Sequence, residues 1–186
     1  MPKRVFIIHG WEGRPEEGWR PWLKKELEDR GFIVSVPAMP NTNNPKMQKW
    51  VSCLAELVGK SKPEDYFVGH SLGCITILRY LEGLKDGEKV GGAVLVAGFT
   101  DDLGYKELSS FFEAPVDFSK VKSRARAFVA IHSDDDPYVA LSYGDVFKEK
   151  LGAKLIISHN MKHFSGDDNI FELPVALEAV LGISNP

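Results

Sequence analysis

The chain has 186 residues, 44% apolar and 26% charged, with a net charge of −3 at neutral pH. That length buries roughly two-thirds to three-quarters of the unfolded surface around one core without disulfides or metals, and the mild acidity presents no basic face to nucleic acid or anionic lipid. The apolar run Val5-Phe6-Ile7-Ile8 is too short for a signal-peptide core, and no stretch is long enough to span a bilayer. The expectation is therefore a single domain over 1–186 in the cytoplasm, with no nucleic-acid or membrane partner.

In chain order, Lys3 to His9 reads as a buried strand ending in the loop Gly10-Trp11-Glu12-Gly13, and Trp19 to Arg30 as an amphipathic helix stopped by Gly31. Phe32 to Val36 is a second strand, and the proline- and asparagine-rich segment Pro37 to Pro45 is a loop. Asn44 as cap and Pro45 at the first helical position predict a helix running through Val58. An apolar strand then turns at Ser71 into a helix from Leu72 to about Gly83. Gly91 to Gly98, Ala127 to Ile131 and Ala153 to Ile157 complete about six strands, with helices predicted over Tyr138 to Leu151 and Phe171 to Leu181. The stretch Phe99 to Arg126 has no long amphipathic helix. Cys53 and Cys74 fall in apolar helical patterns as small hydrophobes, without metal-ligand spacing. Strands alternating with helices predict an α/β fold with right-handed crossovers and function at the strands' carboxyl ends.

Gly69-His70-Ser71-Leu72-Gly73 fits G-x-S-x-G, a strained strand-to-helix turn that lifts a serine hydroxyl above a sheet. The helix behind it turns free N–H groups toward any oxyanion formed there, the first being that of Leu72. A phosphate-binding turn is the competing reading, but the Lys-[Ser/Thr] ending of a P-loop is absent. A serine needs a base and an orienting carboxylate, arriving later in the chain in the order Ser, acid, His. The fifth strand runs into Asp134-Asp135-Asp136-Pro137 and the sixth into His159-Asn160-Met161-Lys162-His163. Three carboxylates and two histidines thus compete. Asp136 before Pro137 also reads as an ordinary helix cap. His159, nearer its strand end, is expected to pack inward, leaving His163 free to swing over Ser71. His9 and His70 are expected to be hydrogen-bonded structural residues.

His9-Gly10-Trp11, Gly69 to Gly73, Asp135-Asp136-Pro137 and His163-Phe164 together resemble the α/β-hydrolase superfamily, and within it the small, lidless serine hydrolases of the retinoblastoma-binding-protein type. The resemblance covers nearly the whole chain, and Phe111-Phe112-Glu113-Ala114-Pro115 is similar to the family's short insert. It implies a three-layer α/β sandwich whose mainly parallel sheet of about six strands lacks the first two of the full superfamily. It implies no large lid, and the serine chemistry requires no cofactor; three adjacent aspartates read as a solvated loop and not as a metal site, since the nearby histidines are needed elsewhere. By the same resemblance Ser71 is the nucleophile, Asp136 the acid and His163 the base, and the N–H of Trp11 joins that of Leu72 in an oxyanion hole. Lys162 departs from the pattern, which usually has glycine before the histidine. The implied activity is hydrolysis of a small acyl substrate, a carboxylic ester or thioester, through an acyl-enzyme. Trp11, Phe111, Phe112 and Tyr138 are candidate walls of the acyl pocket. A non-catalytic module binding a protein or ligand is the alternative, since fold alone does not fix function.

Overall fold

The computed structural model describes residues 2–185. Strands β1 (Arg4–Ile8), β2 (Ile33–Ser35), β3 (Asp65–His70), β4 (Gly92–Val96), β5 (Phe128–Ser133) and β6 (Lys154–Ser158) form one sheet in the order β2-β1-β3-β4-β5-β6. Every pairing in it is parallel. Helices α1 (Arg20–Glu28) and α6 (Pro174–Ser184) cover one face, and α2 (Met47–Val58), α3 (Leu72–Gly83), α4 (Phe118–Arg124) and α5 (Ser142–Leu151) cover the other. The central strands β1, β3, β4 and β5 are apolar without alternation because both faces are buried, whereas the edge strands β2 and β6 leave Ile33 and Ile157 exposed. In β1, Phe6 and Ile8 join the core beneath α2 and α3, while Val5 and Ile7 join the core beneath α1. The result is the three-layer sandwich expected from the strand and helix pattern.

Strand order reverses between β1 and β3, which opens a crevice at their carboxyl ends. His9-Gly10-Trp11 leaves β1 there, and His70-Ser71 ends β3 beside it.

Three helices begin later than their sequence signals suggest. Lys46 is extended, so α2 starts at Met47, whose N–H donates to Ser110 Oγ at 3.1 Å; a side chain 63 residues away caps it, in place of Asn44. The predicted start of α5 at Tyr138 gives way to Ser142, because Asp136 folds the intervening residues into a turn. Pro174, not Phe171, begins α6. Between Phe99 and Arg126 lie only a 3₁₀ turn (Lys106–Phe111) and the short α4. Phe111 is fully buried against Trp50 and Phe112 packs on Phe99, so this segment plugs a core.

Candidate active site

Ser71 sits at φ +54°, ψ −119°, a conformation an L-residue holds only when its surroundings enforce it. The enforcement comes from its glycines. A Cβ at Gly69 would stand 2.7 Å from Cys74 N in the first turn of α3, and one at Gly73 would stand 2.2 Å from Ile8 O at the end of β1. The turn is thus locked between its own helix and the neighbouring strand. A Cβ at Gly10 would meet Ser71 Cβ at 3.0 Å and Ser71 Oγ at 3.5 Å, so the backbone after β1 lies directly against the serine.

The N–H groups of Trp11 and Leu72 donate no hydrogen bond among the described residues. Leu72 follows Ser71 in the chain and Trp11 follows Gly10, which lies against Ser71, so both free N–H groups belong to residues next to the serine's turn. His9 shapes this loop from beneath. It is buried, and burial lowers its pKa below 6.5, so the ring is neutral. Nδ1–H donates to Gly10 O at 2.8 Å while Nε2 accepts from Met39 N at 3.0 Å.

The three aspartates after β5 take three different partners. Asp134 pairs with His159 Nδ1 at 2.5 Å and accepts from Asn160 N. Asp135 accepts from Ser133 Oγ and from the N–H and ammonium of Lys162. Asp136 Oδ2 lies 2.8 Å from His163 Nδ1, while its Oδ1 accepts from Tyr138 N and Val139 N. One oxygen thus meets a histidine and the other caps backbone N–H groups, although the motif it caps is a turn and not a helix.

Exposure separates the two aspartate–histidine pairs: the side chains of Asp136 and His163 are 2% and 15% exposed, those of Asp134 and His159 38% and 77%. A pair in water is worth about 0–1 kcal/mol and holds no ring firmly. His159 is therefore out on the surface and not packed inward as its place near the strand end suggests, and it does not line the cavity that holds His163 and Ser71.

His163 is fixed by more than Asp136. Its N–H donates to Asp168 Oδ2 at 3.2 Å, its carbonyl accepts from His70 Nε2 at 2.7 Å, and the next carbonyl, of Phe164, accepts from Trp19 Nε1 at 2.9 Å. Burial, and secondarily the adjacent His163, push the His70 pKa well down, leaving a neutral ring that donates through Nε2. His70 is a structural residue, as expected. Trp19 and Asp168 escaped the sequence reading: the indole reads as the inner face of α1, and an aspartate five residues past His163 carries no motif.

Ser71, His163, Trp11, Tyr138, Phe99, Leu103 and Leu108 line one cavity of about 920 Å³ together with charged residues such as Glu17 and Arg20, and Tyr105 and Phe171 in its lining are exposed. Phe111 and Phe112, expected as walls, are absent from its lining. Trp11 packs edge-on against Tyr105, with ring centroids 5.3 Å apart.

Comparison with known proteins fits this geometry. The model of a family described as serine hydrolase matches residues 5–180. The hydrolase YdeN of Bacillus subtilis (strain 168) is 33% identical over 181 residues, 97% of this chain and 95% of that one. The crystal structure of the ydeN gene product superposes with a TM-score of 0.94, covering 99% of this chain and 100% of that one. The serine hydrolase RBBP9 of Rattus norvegicus is 27% identical over 90% of both chains. Est1E from Butyrivibrio proteoclasticus shares the fold, with a TM-score of 0.74 at 17% identity over 96% of this chain and 85% of that one.

Proposed function

The chain belongs to the serine hydrolase family and is an enzyme of hydrolase type, and from that premise we propose that it cleaves small carboxylic esters or thioesters through an acyl-enzyme on Ser71. The observation that carries the reading is the strained Ser71 in one cavity with His163, whose Nδ1 is held from behind by the buried Asp136. His163 Nε2 takes the hydroxyl proton as Ser71 Oγ bonds to the acyl carbon, and the carbonyl electron pair moves onto oxygen, facing the N–H groups of Trp11 and Leu72. His163 then protonates the departing alkoxide or thiolate. Water, deprotonated by the same imidazole, attacks the acyl-enzyme and releases the acid with Ser71 restored. Asp136 holds Nδ1–H and stabilises the imidazolium, which leaves Nε2 as the basic nitrogen; among the described residues no hydrogen bond yet joins it to Ser71 Oγ. Serine–base hydrogen bonds of ligand-free sites commonly tighten only with substrate.

An apolar wall of Phe99, Leu103 and Leu108 suits a short acyl chain, and the short segment over the site leaves it open to small substrates. We place the enzyme in the cytoplasm, in keeping with its two free cysteines; no helix among the described residues is long and apolar enough to cross a membrane. Each buried methylene contributes about 0.8 kcal/mol, so kcat/KM for p-nitrophenyl esters is expected to rise from acetyl to butyryl and fall once the wall is filled. A flat, barely detectable response from C2 to C12 would count against this substrate class.

A further inference from the structure

The residue before His163 has a conformation that its side chain disfavours. Lys162 stands at φ +46°, in the left-handed region that glycine enters freely and a β-carbon resists. Its N–H donates to Asp135 Oδ1 at 2.8 Å and its ammonium lies 3.3 Å from Oδ2. Asp135 Oδ1 is itself held by Ser133 Oγ at 2.7 Å, and Ser133 Oγ accepts from Met161 N at 3.0 Å. Ser133 is buried at the end of β5, so the peptide entering His163 is tied to the rigid sheet through two side chains.

We propose that Asp135 and Lys162 form a positioning pair for His163, achieving by hydrogen bonding what glycine at position 162 would achieve by conformational freedom. Successive carboxylates, Asp135 and Asp136, grip successive residues, Lys162 and His163, which sets the loop in register with the strand. Asp168 and His70 hold the backbone of His163 from the other side. A displacement of about 1 Å at a reacting group costs on the order of a hundredfold in rate, so this register matters to turnover. The inference rests on the proposed role of His163 as base.

The test combines Asp135→Ala with Lys162→Gly and reads both turnover and the low-field NMR resonance of His163 Nδ1–H. Asp135→Ala is expected to lower kcat on the order of tenfold to a hundredfold, leave KM within about twofold, and broaden or abolish the resonance. Adding Lys162→Gly is expected to restore most of kcat and the resonance, because glycine takes the required φ unaided. Should Asp135→Ala fail to fold, Asp135→Asn, which keeps the accepting oxygen, is expected to retain the resonance. The proposal is overturned by an unchanged kcat and resonance in Asp135→Ala, by failure of Lys162→Gly to restore them, or by loss of the resonance in folded Asp135→Asn. Because the resonance does not depend on turnover, it reports on the pair even in a protein that hydrolyses no ester, a result that would count against the proposed reaction alone.

Discussion

Ser71, Asp136 and His163 are the positions where single atoms decide the outcome. Ser71→Ala removes one oxygen from a turn whose shape its glycines enforce, so the variant is expected to fold normally and lose on the order of a million-fold in kcat, with little further loss when combined with His163→Ala. Asp136→Asn would favour the wrong imidazole tautomer and is expected to cost about ten-thousand-fold. His159→Ala is expected to leave the rate nearly unchanged, because that ring pairs with Asp134 out in solvent. Steady-state kinetics on p-nitrophenyl butyrate checks all of these, and an inactive His159→Ala beside an active His163→Ala would reverse the assignment of the base. The sequence put Ser71 on its turn, yet left three carboxylates and two histidines in competition until resemblance chose among them. Burial separates the pairs, and burial depends on how the loops after β5 and β6 fold against each other. The expected inward packing of His159 failed for that reason.

At the scale of elements, the elbow shows how little slack the crevice has. Gly73→Ala would drive a Cβ to 2.2 Å from a backbone oxygen of β1, where no side chain can yield. It is expected to destabilise the fold by about 3 kcal/mol or more. Gly83→Ala, at the far end of the same helix with nothing within 4 Å, is expected to be neutral or to stabilise by up to about 1 kcal/mol. Urea unfolding of the two variants makes the comparison. Ser110→Ala should cost about 1 kcal/mol by uncapping α2. That cap also explains why the start of α2 was misread: Asn44-Pro45 is a sound local signal, overruled by a partner 63 residues away. The strands were legible because a sheet covered on both faces writes its burial directly into the chain. Phe111 and Phe112 looked like pocket walls because composition does not say which way a ring turns, and both turn into the core.

Across the whole molecule, buried histidines tie stability to pH. His132 is fully buried on β5 with neither ring nitrogen hydrogen-bonded among the described residues, and burial brings its pKa down from 6.5 to about 4. The unfolded chain takes up its proton near pH 6.5 while the folded chain resists until about pH 4, so stability is full above that window and falls as pH drops through it. The loss from this group approaches about 3 kcal/mol. His9 and His70, also lowered by burial, act in the same direction. Chemical denaturation between pH 7 and pH 4 is expected to show this decline, and His132→Leu to flatten it.

At the centre of the proposed reaction stands one arrangement, a serine at the crevice between β1 and β3 that shares its cavity with a histidine held by a buried aspartate. The most direct test of that claim is reaction with a fluorophosphonate probe, the modified residue being located by mass spectrometry. The expected result is a single adduct on Ser71 that disappears in folded Ser71→Ala; a folded wild-type protein that stays unlabelled, or an adduct on another residue, would contradict it.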